Sequence, residues 1–193
     1  MAADNETTRG APSEAGTNEE GGATRIPPVL TEAQMQSLGD QIRGVMRRAM
    51  RDLIQEEVTQ GEYGHVLKLW REVQERLLRL SGASGPEREK TLAAVDCDYA
   101  AELVEVNAFD NNILADMIAS CSRRLADLGA VAYEQEIVRW GSELAEQMRG
   151  CVKSPAELLS HFFDEADVNL TRTEAGIAAH LLCQAFASAR VGA

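Results

Sequence analysis

The stretch TEAQMQSLGDQIRGVMRRAMRDL, residues 31–53, decides the fold. Thr31 and Gln34 have the spacing of a capping box, in which each side chain takes the other's backbone N–H at a helix start. Met35, Leu38, Ile42, Val45, Ala49 and Leu53 then recur at steps of three and four, which gathers them on one stripe of a helix. The spacing predicts a helix over 32–59 whose apolar stripe fills a core. Arg43, Arg47 and Arg51 lie four apart, with Arg48 beside them, on the side turned away from Ile42, Ala49 and Leu53. They are expected to form an outward basic stripe.

The same period continues down the chain. Gly61 and Gly64 break the first helix, and a second carries Val66, Leu69, Trp70, Val73, Leu77 and Leu80 up to Gly82. Ser84 with Glu87 reads as a capping box for a third helix through Leu92, Val95, Tyr99, Leu103 and Val106. A polar joint around Phe109 leads to a fourth, with Ile113, Met117, Cys121 and Leu125, stopped by Gly129. A fifth carries Tyr133, Ile137, Trp140, Leu144 and Met148, stopped by Gly150. Ser154-Pro155-Ala156-Glu157 starts a short sixth helix: a capping Ser, Pro at the first helical position, and an acid in the first turn. Thr171 with Glu174 is expected to cap a seventh, bearing Ile177, Leu181, Leu182 and Phe186. No stretch alternates with period two for long enough to make a strand.

The expected fold is therefore all-α: an antiparallel bundle of about seven helices over residues 31–193, with a short α-solenoid as the alternative. Residues 1–30 differ. They hold five acidic and two basic residues, no aromatic residue, and Gly21-Gly22 and Pro27-Pro28 near their end. Nothing there offsets an ordering cost of about 1–2 kcal/mol per residue, so a disordered acidic tail is expected.

Charge narrows the function classes. The 193 residues carry 19 Lys and Arg against 31 Asp and Glu, a net charge of −12. Nucleic acid is disfavoured as a partner, because phosphate binding is driven by basic residues that displace counterions. Membrane insertion is disfavoured too, since the uninterrupted apolar runs fall far short of the ~20 residues that span a bilayer. Residues 1–10 lack the basic lead and apolar core of a secretory signal. Cys97, Cys121, Cys151 and Cys183 are widely spaced with no Cys-x-x-Cys. That pattern fits a reducing, intracellular setting, cytoplasmic first, with all four as small buried hydrophobes.

Three candidate sites give way to simpler readings. Residues 82–91 end in Lys90-Thr91 like a phosphate loop, but Glu89 stands where the second Gly belongs and no strand precedes. His180 and Cys183 share a helical face, and His161 and Cys151 are the other candidate ligands. Zinc sites draw on close ligand pairs, and this is one weak pair. Asp164, Glu165 and Asp167 read as a solvated acidic turn rather than an acid–base pair. No catalytic residue, cofactor or metal is expected.

The ordered motifs bring a resemblance. Residues 49–56 with Tyr63, then residues 67–78 (LKLWREVQERLL), look like the opening of the T-complex protein 11 family. Arg88, Leu92 and Asp96-x-Asp98, the joint Asn107-Ala108-Phe109-Asp110, and Leu158-Leu159 followed by Asp167-Val168-Asn169-Leu170-Thr171 are similar to its later passages. The match runs in order over residues 45–182, with Asp167 and Asn169 its most distinctive pair. The resemblance implies a non-enzymatic helical protein linked to cyclic-AMP signalling and, in animals, to sperm function. The expected function is thus an adaptor that binds a protein partner through an acidic or phosphorylated segment received by Arg43, Arg47 and Arg51. A structural helical subunit of a larger assembly is the alternative.

Overall fold

The computed structural model describes residues 31–191. The tail expected over 1–30 lies outside them, as does the side chain of Phe186. The helices are α1 (Glu32–Gln60), α2 (Gly64–Ser81), α3 (Pro86–Ala94), α4 (Cys97–Glu105), α5 (Asn111–Leu128), α6 (Val131–Arg149) and α7 (Pro155–Val191), with no strand among the described residues. The fold is all-α.

Local chemistry sets the ends. At the start of α1 the Thr31 N–H donates to Gln34 Oε1 (2.8 Å) and the Gln34 N–H to Thr31 Oγ1 (3.3 Å), the predicted reciprocal cap. Gly61 closes α1 at φ 72°, in the left-handed region that a Cβ disfavours. Three predicted boundaries differ. The third predicted helix divides into α3 and α4, because Asp96 caps a new start by accepting from the Tyr99 N–H at 2.9 Å. Its N-cap is Gly85 followed by Pro86, without the Ser84–Glu87 box. The predicted sixth and seventh helices are instead one helix, α7. No Gly or Pro falls within 156–175 to stop it. The polar residues satisfy themselves within the helix: Asn169 Nδ2 donates to the Glu165 carbonyl and Thr173 Oγ1 to the Asn169 carbonyl, both at 2.9 Å.

Side-chain pairs fix the directions. Asp116 meets Arg149, and Trp140 and Tyr133 of α6 meet Phe162 and Arg172 of α7, so α5, α6 and α7 alternate. On α2, Arg71 pairs with Asp98 and Gln74 donates to the Val95 carbonyl, so α3 and α4 together return along α2. Arg47 with Asp164 and Gln55 with Ser154 run α1 against α7. Consecutive legs therefore alternate, and α7 touches α1, α2, α5 and α6. A helix packed on four others makes a closed bundle rather than a row of stacked pairs.

Phe162 of α7 lies at the centre, stacked between Trp70 (centroids 4.7 Å) and Trp140 (5.6 Å). Ile54, Leu77, Leu114, Ile118, Leu125, Met148, Leu159 and Leu170 are fully or nearly fully buried around it. At the α5–α6 contact, a Cβ on Gly141 would stand 2.2 Å from Ser122, so glycine there is what lets the two backbones approach. Arg124 is nearly fully buried. It donates to Thr91 Oγ1 and the Glu87 carbonyl, both at 2.8 Å, and pairs with the Glu87 carboxylate at 2.9 Å, tying α5 to α3.

The cysteines split, against the expectation that all four are buried. Cys97 and Cys121 are buried, whereas Cys151 sits at φ 48° just past α6 and Cys183 lies on the distal half of α7, both exposed. Burial pushes the Cys97 thiol up to about 11 and raises that of Cys121 further still. In a native titration with a thiol reagent, Cys151 and Cys183 should react promptly, and Cys97 and Cys121 only as fast as the chain opens. Replacing Cys151 and Cys183 by serine should remove the prompt phase entirely; a remaining prompt phase would mean the core admits reagent.

Candidate functional site

Two faces of α1 compete for the bundle. At about 100° per residue, Arg47, Met50, Arg51, Ile54 and Val58 share one face, while Met35, Leu38, Ile42, Val45, Ala49 and Leu53 lie nearly opposite. The first face is the one that packs. Ile54 is 0% exposed, and Met50 and Val58 pack against the core. Met50 Sδ lies 3.2 Å from His65 Nε2 of α2, and Arg47 Nε lies 3.6 Å from Asp164 of α7.

The predicted core stripe of α1 is therefore outside. Leu53 is 38% exposed beside the fully buried Ile54, Met46 is 65% exposed, and Met35, Leu38, Ile42 and Val45 are all about half exposed or more. The physical reason is that the row Met50–Ile54–Val58 meets α2 and the start of α7, where α1 is held at both sides, and that contact fixes the rotation of the whole helix. This row has helical spacing and is visible in the sequence, but the longer stripe outweighs it there.

The arginines follow the same rotation. They do not form one free outward stripe. Arg43 Nη2 pairs with Asp40 of its own helix at 2.5 Å, and Arg47 turns to Asp164. Arg51 lines a polar cleft of about 480 Å³ between α1, α6 and α7, with Trp140, Glu143, Lys153, His161 and Asp164. Lys153 pairs with Glu157 at 3.3 Å, so cations and carboxylates alternate around this cleft without a single dominant charge.

Asp167 and Asn169, three and five residues past Asp164 on α7, both serve the bundle. Asp167 Oδ1 accepts from Arg76 Nη1 at 2.6 Å. Glu174 accepts twice from the same guanidinium at 2.9 Å, and Thr171 Oγ1 accepts at 3.1 Å. This clamp joins α2 to α7, and the Arg76 hydrogen bonds hold the Glu174 carboxyl below its ordinary range. Thr171 and Glu174, predicted to cap a helix, are spent on Arg76 instead. Asn169 is buried and accepts from Arg172 Nη1 at 3.5 Å.

A second apolar surface lies where distal α7 passes the α5–α6 joint. Leu128, Tyr133, Ile137, Ile177 and Leu181 line a groove of about 500 Å³, and the Arg172 guanidinium stands 4.5 Å over the Tyr133 ring at its head. His180 Nε2 lies 2.8 Å from Gln184 Nε2, and Cys183 beside it is exposed. No group of three or more His, Cys, Asp or Glu side chains among the described residues converges to hold a metal ion. No histidine side chain among them is hydrogen-bonded to a serine, cysteine or carboxylate. Among the described residues no helix is long and apolar enough to cross a membrane. Compared with known proteins, the chain matches no family model, no curated protein and no solved structure.

Proposed function

We propose that this chain is a non-enzymatic, intracellular helical interaction protein whose binding element is the outer face of α1. One observation carries the reading: a row of six large apolar residues from Met35 to Leu53 stands in water on the face opposite the one the bundle uses. Isolated exposed hydrophobes are ordinary, but a contiguous row along a helix is a surface for a partner helix. Four arginines and one aspartate lie between residues 42 and 53 of a chain whose net charge is −12. Their local positive field favours a partner helix with carboxylates or phosphates near its margin. The resemblance to the T-complex protein 11 family favours the same class, with cyclic-AMP-linked signalling or a flagellar setting as its context. The groove on distal α7 favours a second reading, a structural subunit held in an assembly by two surfaces at once.

The test is capture by the immobilised full chain from native extract, with the retained proteins identified. Changing Leu38 and Ile42 together to Gln should abolish retention of the specific partner. The triple change Arg43→Glu, Arg47→Glu, Arg51→Glu should weaken it several-fold at low salt and less at high salt, because exposed charges are screened within about 8–10 Å. The Leu38/Ile42 variant should keep the native helicity, since both side chains are about half exposed; the arginine variant also breaks the Arg47–Asp164 pair on the packed face, so its helicity and unfolding midpoint are measured beside its retention. Unchanged retention by both variants would remove α1 as the binding element.

A further inference from the structure

We infer that the groove along α6 and distal α7 receives the chain's own residues 25–30 (RIPPVL), the segment that leads into α1. This is independent of the outer face of α1. The groove is longer than its apolar part. Trp140 and Glu143 line the polar cleft at Arg51 and also a smaller cavity of about 190 Å³ beside Glu136 and Glu165. Ile137 and Asn169 line that cavity and also the apolar groove that ends at Leu181. One channel thus follows the α6–α7 seam for about 26 Å, from Gln147 to Ala130 at 1.5 Å per residue.

The point where residues 1–30 join α1 brings them to this channel. Gln55–Ser154 and Arg47–Asp164 run α1 antiparallel to α7, and Arg51 between them lines the channel's polar end. Carried on at the same rise, that register sets Thr31 level with about residue 179 of α7, at the channel's apolar end. The chain before Thr31 therefore enters beside Leu181 and turns back along the seam.

The order of chemistry matches in that direction. Ile26-Pro27-Pro28-Val29-Leu30 is the most apolar run of residues 1–30. In the extended polyproline form it spans about 12 Å, and α7 from Leu181 back to Arg172 spans about 14 Å. Ile177, Leu128 and Ile137 offer apolar surface there, and no carboxylate lines this part. Arg25 comes next and reaches the stretch that sets Glu136, Glu143 and Glu165 against the single Arg139. Glu19 and Glu20, a further stretch of about 15–20 Å when extended, reach Arg51 and Lys153. Entering from the opposite end would set the apolar run among those charges. The two prolines add a second argument. They preset the extended form, so docking orders little that is free, and they leave backbone carbonyls without internal partners. The Arg172 guanidinium, held over the Tyr133 ring, is a donor beside them.

Limited trypsin digestion of the full chain, read by intact mass, tests this, because Arg9 and Arg25 are the only Lys or Arg residues before Thr31. The bond after Arg25 should be cut at least tenfold more slowly than the bond after Arg9. Ile177→Glu and, separately, Leu181→Glu should each speed the Arg25 cut about tenfold with unchanged circular dichroism, since both side chains are exposed. Glu136→Lys with Glu165→Lys should speed it as well, and by less at high salt. Leu38→Gln, on the outer face of α1, should leave it slow. With Cys151 and Cys183 changed to Ser, Val29→Cys and Ile177→Cys should close a disulfide within one chain in dilute protein. Equal cutting after Arg9 and Arg25 in the unaltered chain overturns the inference. A slow Arg25 cut that persists in both groove variants belongs to the bond itself and overturns it too. Release by Leu38→Gln in their place moves the segment to α1, and a Val29–Ile177 link found only between copies makes the occupant another chain; either result overturns the placement.

Discussion

Replacing Phe162 by alanine should cost the bundle about 3–5 kcal/mol, the range for removing a fully buried aromatic side chain. Phe162 is 0% exposed and belongs to α7, but its ring is held by Trp70 of α2 at 4.7 Å and Trp140 of α6 at 5.6 Å. Phe163 meets both Trp70 and Phe162 edge-on at 5.4 Å. Three helices therefore lose a shared contact at once, and two large indoles cannot both collapse into the space. The stack also has an internal cost. The indole N–H groups of Trp70 and Trp140 are buried without a hydrogen-bond partner, so ring packing alone holds them there. Single domains keep only about 5–15 kcal/mol in total, so this variant should be close to unfolding at 37 °C. Denaturant unfolding followed by tryptophan fluorescence measures it. A loss below about 1 kcal/mol would show that the three rings are not the common anchor of α2, α6 and α7.

How far the sequence goes can be judged at particular residues. The cap at Thr31, the helix start at Pro155 and the stops at Gly61, Gly129 and Gly150 are local signals, readable because each works within about one turn, whereas the Ser154 hydroxyl, predicted to cap α7, donates to Gln55 of α1. Asp96 is equally local, but it lies inside an apolar period that continues on both sides, so the break between α3 and α4 is hidden. Thr171 and Glu174 show the reverse. They have capping-box spacing, yet a cap needs a non-helical residue, and Arg76 of α2 takes both side chains from 95 and 98 positions away in the chain. A contact of that range leaves no trace in a short window. The faces of α1 are the largest case. Period alone says that a stripe exists, not which stripe is buried; that choice depends on what α2 and α7 present.

The rotation of α1 can be tested at two neighbouring residues. Ile54→Ala should cost about 2–4 kcal/mol, the transfer and cavity terms of a fully buried aliphatic side chain. Leu53→Ala, one position earlier, should cost less than about 1 kcal/mol, because Leu53 is 38% exposed and its removal leaves no closed cavity. The two changes delete similar volumes from adjacent positions of one helix, so helix propensity and chain entropy nearly cancel between them. What differs is the direction of the side chain, about 100° apart around the axis. If Leu53→Ala proved the costlier change, the stripe from Met35 to Leu53 would be the packed face and Arg47 and Arg51 would turn outward. The apolar docking surface would then fall, and the basic stripe would be the surface left to meet a partner.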